Sequence, residues 1–398
     1  MKMGIVLAFS GGLDTSFCIP YLREKYAQPI VTATVDTGAS PDEALLSSRS
    51  HRLGAIKHYQ IDARKSLYQD YLKYLIMGNV LRGGVYPLCV GAERVIQAQE
   101  VVKIAKKIDA DAIAHGSTGA GNDQVRFDSV VQLMADDLQL ITPIRDDGLT
   151  RQYTTQFLLD RGFEVSQKTT SYSINEGLWG TTIGGEETLG TIQPLPDDAY
   201  PNSVSPSEAP EKGVQLLIQY DEGLPVALNN QALPPVELIT QLASIGGAHG
   251  IGRNFHIGDT ILGLKGRIGF EAPAPMILIT SHRELEKLVL TKWQRYHKDQ
   301  LSDFYGMLLH EGQFFDPVMR DIESLMISSQ QFVTGSVRIQ LYKGNIQVLG
   351  CESPYSMFDT GVATYGEETA LWDGADARSF CKLSGLQAYL AHKAQSKP

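Results

Sequence analysis

The residues best suited to chemistry lie near the N-terminus, in the stretch Ala8-Phe9-Ser10-Gly11-Gly12-Leu13-Asp14-Thr15-Ser16. An apolar run at 4–7 predicts a buried parallel strand before it, and the residues after it have helical spacing. A Ser-Gly-Gly turn between a strand and a helix leaves backbone N–H groups bare at the positive end of the helix. This turn predicts an anion site, above all for pyrophosphate, with the hydroxyls of Ser10, Thr15 and Ser16 as further donors. Asp14 can hold a magnesium ion against the phosphates.

A second glycine-rich stretch reads His115-Gly116-Ser117-Thr118-Gly119-Ala120-Gly121-Asn122-Asp123-Gln124-Val125-Arg126-Phe127-Asp128. Its glycines expose backbone amides, and Asn122, Asp123 and Arg126 follow at near-helical spacing. A guanidinium can grip a carboxylate in bidentate fashion, Thr118 and Asn122 are neutral donors, and Asp123 can accept from an ammonium. These groups predict an amino-acid pocket that faces the phosphate site. The alternative is a glycine-rich loop followed by a salt-bridged helix start.

Both stretches need a scaffold that brings them together, and the N-terminal part of the chain alternates strand and helix patterns. Strands are predicted at 4–9, 29–35, 57–61, 112–115 and 139–142, and helices at 15–26, 41–53, 66–77, 92–108 and 152–161. This rhythm predicts an α/β fold with a doubly wound parallel sheet, whose ligands lie beyond the carboxyl ends of the strands. Val35 and Asp36 end the second strand where an adenosine can lie, although Asp36 is equally well explained as a turn residue.

The remainder of the chain predicts a second, α+β domain and a C-terminal helix. Residues 194–210 are rich in Pro, Ser, Asp and Asn and predict a surface excursion. Strands are predicted at 214–220, 224–228, 259–264, 333–342 and 346–350, and helices at 235–244, 283–310 and 375–394. The predicted domains are 1–166, 167–360 and a C-terminal arm at 361–398.

Composition narrows the class of protein. The chain has 398 residues with a formal net charge of −10, which argues against a nucleic-acid partner. No apolar run reaches membrane-spanning length, and the first predicted strand leaves no room for a signal peptide. The four cysteines, Cys18, Cys89, Cys351 and Cys381, are far apart, which favours reduced cytoplasmic thiols over a disulfide framework or a zinc site. We therefore expect a cytoplasmic protein without a bound structural metal.

The motifs carry a family resemblance. The first loop resembles that of the PP-loop ATP pyrophosphatases, since no lysine follows its second glycine as it would in the common NTPase loop. The two stretches together resemble the argininosuccinate synthase family. Weaker matches run along the chain, at Tyr86, Ser173 in Ser-x-x-x-x-Leu-Trp, His249-Gly250-Ile251-Gly252-Arg253, Leu264-Lys265-Gly266-Arg267, His282-Arg283-Glu284-Leu285-Glu286, Val333-Thr334-Gly335-Ser336-Val337, Lys343-Gly344-Asn345 and Glu352-Ser353-Pro354-Tyr355.

The resemblance implies a ligase that joins L-aspartate to the ureido group of citrulline through a citrullyl-adenylate, with release of AMP and pyrophosphate. It implies a PP-loop ATP-binding domain at 1–166, a synthetase domain at 167–360, ATP and Mg²⁺ as ligands, and a homotetramer clasped by the C-terminal arm. ATP would be held by Ala8, Phe9, Ser10, Gly11, Gly12, Leu13, Asp14, Thr15, Ser16, Val35 and Gly116. The substrate positions would be Tyr86, Gly91, Thr118, Asn122, Asp123, Arg126, Ser173, Thr182, Gly258 and Phe270, and the catalytic ones Asp14, Ser16, Asp123 and Arg126. His115 either assists near the phosphates or is structural.

Departures from the family pattern cluster around the citrulline pocket. Ala120 stands where the family has Lys, and Gly91 and Thr182 stand where it has Ser. Asn175, Gly177 and Gly184 replace Asp, Asn and Glu, while Gly258 replaces a Glu and Phe270 a Tyr. A carboxylate is the expected partner of a free α-ammonium, so its loss leaves two interpretations. Either other residues rebuild the pocket for citrulline, or the substrate carries an acyl group on its α-amine.

Two further classes compete with the ligase interpretation. The missing lysine can mark a nucleotide-binding relative without activity, although the first loop, Asn122, Asp123 and Arg126 are intact. A PP-loop amidotransferase would need a glutaminase domain, and neither Cys18 nor Cys89 has the setting of a glutaminase nucleophile.

Overall fold

The structure is a computed structural model that describes residues 4–40, 42–165, 172–362 and 369–396. The chain divides into two compact units, Met1–Ser353 and Pro354–Pro398. The predicted boundary at 166/167 and the first residue of the helix predicted at 41–53 lie outside the described residues.

The first sheet of the larger unit is parallel and confirms the predicted α/β class. Its strands are β1 Ile5–Ala8, β2 Ile30–Asp36, β3 Lys57–Asp62, β4 Ala112–Ala114 and β5 Gln139–Ile141. Their order is β3-β2-β1-β4-β5, so the chain winds one way from β1 and the other way from β4. The switch point of this doubly wound sheet therefore lies between β1 and β4, where ligands of such folds bind.

Helices flank this sheet, and β1 shows why its apolar run is continuous. Val6 packs into one hydrophobic cluster, while its neighbours Ile5 and Leu7 pack into another, so both faces of the strand are covered. The helices are α1 Leu13–Tyr26, α2 Glu43–Arg52, α3 Arg64–Leu67, α4 Lys73–Met77, α5 Gly91–Lys107, α6 Asp123–Met134, α7 Pro143–Asp146 and α8 Arg151–Asp160. A π-helical turn, Tyr68–Leu72, separates α3 from α4 within the helix predicted at 66–77.

Two antiparallel sheets and four helices form the α+β part of the same unit. The strands are β6 Tyr172–Gly177, β7 Gly180–Gly185, β8 Val214–Asp221, β9 Leu224–Leu228, β10 Gln231–Ala232, β11 Arg253–Asp259, β12 Lys265–Glu271, β13 Gly335–Tyr342 and β14 Asn345–Glu352. One sheet has the order β11-β12-β7-β6, and the other has the order β10-β9-β8-β13-β14. The helices are α9 Pro235–Ala248, α10 Pro273–Val289, α11 Lys292–His310 and α12 Pro317–Gln330.

Two predictions for this part are wrong. The strand predicted at 259–264 is largely the turn between β11 and β12, which is closed by a 2.7 Å hydrogen bond from the Thr260 N–H to the Leu264 carbonyl. The single helix predicted at 283–310 is broken, because Leu290 is extended and Thr291 caps α11 by accepting from the Gln294 N–H. A cap of this kind satisfies N–H groups that a new helix leaves without partners.

The C-terminal unit contains two helices, α13 Gly374–Ser384 and α14 Leu386–Gln395, where one was predicted at 375–394. No residue of either helix is buried, and large apolar side chains such as Phe380, Leu383 and Tyr389 are exposed. Across the described residues, no helix is long and apolar enough to span a membrane.

Candidate active site

The first glycine-rich loop joins β1 to α1, and hydrogen bonds to the hydroxyls of Ser10 and Thr15 fix its conformation. Gly11 has a φ of +75°, a conformation that favours glycine, and Gly12 is the N-cap of α1. The Thr15 hydroxyl accepts from the Ser10 N–H at 3.3 Å, and the Ser10 hydroxyl accepts from the Gly12 N–H at 3.3 Å. Ser10 and Gly12 are exposed, so the loop offers its donors to a ligand at a helix N-terminus.

The other residues predicted to hold ATP lie in or beside this loop. Ser16 is buried and its hydroxyl donates to the Gly11 carbonyl at 3.5 Å, so it supports the loop from inside. Burial raises the pKa of Asp14, and the nearby Arg151 acts in the opposite direction. Ala8 ends β1, Leu13 begins α1, Val35 is buried near the end of β2, and the Phe9 N–H donates to the Ala33 carbonyl of β2 at 2.9 Å.

Asp36 serves as a turn residue in this structure. Its carboxylate accepts from the N–H groups of Gly38 and Ser40, at 2.8 and 3.1 Å. This arrangement supports the second of the two interpretations left open for Asp36, since one of its carboxylate oxygens holds the turn after β2.

The second glycine-rich loop lies against the first. It follows β4, which pairs directly with β1 in the parallel sheet. A Cβ built on Gly116 would lie 3.3 Å from the carbonyl carbon of Asp14 and 3.4 Å from the backbone nitrogen of Thr15. The two loops therefore meet at the carboxyl edge of the sheet, as predicted, and a larger residue at Gly116 would press on the first turn of α1.

His115 has a structural position below this loop. Its Nδ1 accepts from the Ser117 N–H at 3.3 Å, so its Nε2 carries the proton that is donated to Asp128 at 2.8 Å. Asp128 also accepts from Arg145 at 2.7 Å. This buried relay fixes the start of the loop. Thr118 and Ala120 lie at the exposed tip.

Asp123, at the start of α6, lies between two guanidinium groups. Its Oδ2 accepts from Arg94 Nε at 2.9 Å and its Oδ1 from Arg126 Nη1 at 3.0 Å. Burial raises the pKa of Asp123, but Arg94 and Arg126 outweigh it and hold that pKa below its usual range. The Asp123 side chain keeps 37% exposure, so an ionised carboxylate remains open to a ligand.

Arg126 is buried, and most of its N–H groups donate hydrogen bonds to other residues of the protein. Its Nε and Nη2 donate to the His310 carbonyl at 3.0 and 2.8 Å, and Nη2 also donates to His310 Nδ1 at 3.2 Å. With the Asp123 contact, four hydrogen bonds occupy a guanidinium that has five N–H groups. In this geometry Arg126 can offer a ligand one N–H group, and the bidentate grip considered from the sequence does not fit it.

Four of the ten predicted substrate positions share one face of the β11-β12-β7-β6 sheet. Directly paired residues of antiparallel strands point to the same face, as do residues two apart in one strand. Phe270 pairs with Thr182, and Thr182 pairs with Asn175. By these registers the face carries Ser173, Asn175, Thr182, Gly258 and Phe270.

This face is joined to the first sheet by direct contacts. Arg94 Nη2 donates to Asn175 Oδ1 at 2.6 Å, and the Ile261 N–H donates to Asn122 Oδ1 at 2.9 Å. The Tyr86 ring lies 5.2 Å from the Phe270 ring, centroid to centroid. The two glycine loops and the sheet face therefore belong to one region of the larger unit.

Comparison with known proteins agrees with this arrangement. The family model described as the arginosuccinate synthase N-terminal HUP domain matches residues 4–164, and the one for the C-terminal domain matches residues 172–391. The chain belongs to the argininosuccinate synthase family, and it is a ligase. It is 38% identical over 98% of its length to the argininosuccinate synthase of Methanocaldococcus jannaschii, covering 98% of that protein.

Other members of the argininosuccinate synthase family show similar agreement. The Pyrobaculum aerophilum enzyme is 38% identical over 97% of this chain and 98% of its own length. The Dictyoglomus thermophilum enzyme is 37% identical over 98% of this chain and 97% of its own length. A solved chain described as a predicted subunit of a tRNA methyltransferase from Methanocaldococcus jannaschii aligns with a TM-score of 0.29 and 18% identity, over 43% of this chain and 80% of that chain.

The structure shows which groups surround the positions at which this chain departs from the argininosuccinate synthase pattern. A Cβ on Gly258 would lie 2.4 Å from His256 Nε2, so an imidazole occupies the space beside that glycine. Tyr86 stacks on the same imidazole, with 5.5 Å between ring centroids. A Cβ on Gly91 would lie 3.7 Å from the Leu309 carbonyl, which is ordinary contact.

Glu93, in the first turn of α5, is a buried carboxylate that sequence reasoning missed. A Cβ on Gly177 would lie 1.9 Å from Glu93 Oε1, so glycine at that position makes room for it. Neither carboxylate oxygen accepts a well-formed hydrogen bond in the described part of the chain, and the Trp179 backbone N–H is the donor that approaches the carboxylate. Burial raises the pKa of Glu93 to about 8, although the charge of Arg94 opposes the rise.

Sequence reasoning also missed Arg94, His256 and His310. No local motif marks them, because each reaches the site through the packing of a distant element, namely α5, β11 and α11. An alternation signal in β11 could have placed His256 on the same face as Gly258. No group of three or more His, Cys, Asp or Glu residues in the described ranges can hold a metal ion.

Proposed function

We propose that this chain condenses L-aspartate with the ureido group of citrulline, through a citrullyl-adenylate, to give argininosuccinate, AMP and pyrophosphate in arginine biosynthesis. One observation carries the proposal. Gly116 of the second loop packs on Asp14 and Thr15 of the first, so the loop that would bind phosphate and the loop that would bind the amino acid adjoin at the switch point of the sheet. The family membership supports the same chemistry.

ATP would lie across the carboxyl ends of β1 and β2. The Gly11 N–H would bind the departing pyrophosphate at the N-terminus of α1. Phosphate oxygens would replace the Thr15 and Ser10 hydroxyls as acceptors of the Ser10 and Gly12 N–H groups. Asp14 fits a magnesium ion, because its carboxylate lies in the first turn of α1 and Mg²⁺ typically takes one or two carboxylates with substrate phosphates. Such an ion would neutralise phosphate charge when bound.

The reaction needs no nucleophile from the protein. The ureido oxygen attacks the α-phosphorus of ATP and pyrophosphate leaves. The α-amine of aspartate, after losing a proton, attacks the ureido carbon and AMP leaves with the former ureido oxygen. The protein contributes positioning and charge stabilisation, which are sufficient for large accelerations when the reacting atoms are held in contact.

Asp123 is the centre of the proposed substrate site. Two of its lone-pair directions are taken by Arg94 and Arg126, and its open side can accept from the ammonium of aspartate. Thr118 and Asn122 would contact aspartate beside it. Tyr86, the remaining N–H of Arg126, and the sheet face with Ser173 and Thr182 would contact the ureido substrate.

An α-N-acylated citrulline is a second candidate substrate, and one observation favours it. Beside Gly258 and Phe270 lie the His256 imidazole and the Tyr86 ring. Among the described residues of these strands, the registers place no carboxylate on this face to pair with an α-ammonium. In that case the chemistry at the ureido group is unchanged, and only the group on the α-nitrogen differs.

We also propose a homotetramer in the cytoplasm. The exposed apolar side chains of α13 and α14 support the first part, because faces of this kind are usually covered by a partner. The four unpaired cysteines support the second. Sedimentation analysis of the full chain and of a chain ending at residue 360 tests the role of the arm, since the shorter chain should lose the tetramer.

The activity itself is tested by pyrophosphate release. With ATP present, release should require both L-aspartate and a ureido compound. ATP binding without such release would instead identify a non-catalytic nucleotide-binding relative.

A further inference from the structure

Three buried nitrogen atoms near Gly258 lack well-formed hydrogen bonds in the described part of the chain. They are Arg82 Nη1, His256 Nε2 and His310 Nε2, and of these only the His310 ring is also approached by an acceptor, the Asp259 backbone carbonyl. Buried polar atoms in native proteins are usually paired, so a group of unpaired ones close together calls for an acceptor from outside the chain.

The three side chains form one cluster. Arg82 Nη2 donates to the Asp259 carbonyl at 2.8 Å, and the same carbonyl approaches the His310 ring. The positive charge of Arg82 acts on both His256 and His310, and His256 also acts on His310. The His256 ring is held between two glycines, because a Cβ on Gly83 would lie 3.0 Å from its Cε1 and one on Gly258 would lie 2.4 Å from its Nε2. Its other contact is the stacked Tyr86 ring.

At least two of the orphan atoms are hydrogen-bond donors. A guanidinium only donates, so Arg82 Nη1 needs an acceptor. Arg126 also only donates, so His310 Nδ1 must accept its hydrogen bond, and the proton of the neutral ring is on Nε2. Burial, with the charges of Arg126 and Arg82, lowers the pKa of His310 to about 3, so the ring is neutral near neutral pH.

The carboxylates near the cluster do not supply the acceptor. Asp259 pairs with Lys265 at 2.6 Å, and only its backbone carbonyl accepts from Arg82, through Nη2 at 2.8 Å. Glu311 acts on Arg82 through its charge, but no ion pair joins them among the described residues. The cluster therefore combines one positive charge with unpaired donors, which is the chemistry that binds a carboxylate.

We propose that Arg82, His256 and His310 bind a carboxylate at the end of an acyl group on the α-nitrogen of the ureido substrate, as in a dicarboxylic half-amide. The inference rests on the proposed function. Arg82 donates to the carbonyl of Asp259, the residue after Gly258, so a free α-ammonium bound at Gly258 would be repelled by a nearby like charge. Acylation removes the ammonium charge, and a terminal carboxylate supplies the missing acceptor.

The test compares four ureido substrates with the full chain, ATP and L-aspartate, by pyrophosphate release. They are α-N-succinylcitrulline, its terminal amide of nearly the same size, α-N-acetylcitrulline and citrulline. We expect kcat/KM for the succinyl compound to exceed that for each of the others by about tenfold or more, as for one charged hydrogen-bonded contact. Equal values for the succinyl compound and its amide, or a preference for citrulline or the acetyl compound, would overturn the proposal.

Arg82→Met gives the residue-level test. It should lower the ratio of the succinyl to the amide kcat/KM about tenfold, whereas Arg52→Met, which removes an exposed positive charge from α2, should leave that ratio unchanged. If Arg82→Met fails to fold, His310→Phe gives a second reading of the same ratio. An unchanged ratio in a folded variant argues against the cluster. Release with none of the four substrates, together with intact ATP binding, would instead reject the proposed ligase function.

Discussion

Arg94 Nε donates a 2.9 Å hydrogen bond to Asp123 Oδ2, although the two residues are 29 positions apart in the chain. The pair joins α5 to α6, and Arg94 continues to Asn175 on the antiparallel sheet. The Arg94 side chain thus connects the helix that follows the second glycine-rich loop to the β11-β12-β7-β6 sheet, and it helps to keep Asp123 ionised.

Replacing Arg94 should weaken the use of aspartate. In Arg94→Leu the pKa of Asp123 should rise, because a nearby positive charge no longer favours the carboxylate. Activity on the acid side should then be lost at a higher pH than in the wild type. The measurement is the pH profile of kcat/KM for aspartate, with an expected fall of about tenfold or more near neutral pH. Arg64→Leu, which removes the exposed pair with Asp62, is the matched control. An acid limb that stays in place would contradict the role given to Arg94.

Gly116 offers a steric test of the shared edge of the two loops. Gly116→Val should press on Asp14 and Thr15, since even a Cβ there approaches backbone atoms at 3.3–3.4 Å. We expect KM for ATP to rise by about tenfold, because a displaced first turn of α1 misaligns the N–H donors. Gly119→Val in the same loop is the control, because its Cβ would meet only the Arg145 side chain at 3.5 Å. Equal effects of the two variants would show that loop flexibility, and not the contact, governs ATP use.

Glu93 predicts a pH-dependent stability. Its pKa is about 8 in the folded chain against 4.5 as the ordinary value, so folding favours the protonated form. The free energy of unfolding therefore keeps its full contribution from the protonated Glu93 carboxyl below pH 4.5. It falls by up to about 1.4 kcal/mol per pH unit as the pH rises from 4.5 toward 8. Glu93→Gln removes this loss, so its stability advantage over the wild type should grow from pH 5 to pH 8 and then level off.

Denaturant unfolding of both proteins at several pH values measures that difference. Glu43→Gln, at an exposed position in the first turn of α2, should show no such growth. A constant difference between Glu93→Gln and the wild type across this range would mean that the carboxylate finds a partner in solution.

The sequence predicted what depends on short stretches and missed what depends on packing. The strand, glycine turn and helix around Gly11 are contiguous, so their pattern alone indicated an anion site at the switch point. Arg94, His256 and His310 escaped notice because α5, β11 and α11 meet only in three dimensions. The apolar residues Ile261, Leu262 and Leu264 led to the wrong prediction of a strand at a place where the chain turns.

The helix break at Thr291 was readable in principle. Thr291 and Gln294 form a capping box, with the Thr291 N–H donating to Gln294 Oε1 at 3.0 Å. The spacing Thr-x-x-Gln is a known helix start, but the apolar spacing that continues across it predicted one long helix. At Gly385, by contrast, no strained conformation or close contact explains why the C-terminal helix divides.

Ala120 tests how the enzyme manages without the lysine found at this position in the family. It lies at the exposed tip of the second loop, so a longer side chain at this position meets no packed neighbour. Ala120→Lys should lower KM for ATP, because an added cation near the phosphates gains charge–charge attraction, and the gain should shrink as salt is raised. Initial rates against ATP concentration at two ionic strengths measure this, with Ala120→Gln as a control of similar length. A decrease shared by the lysine and glutamine variants would assign the effect to side-chain bulk, whereas one confined to lysine would show that the wild-type loop leaves phosphate charge uncompensated.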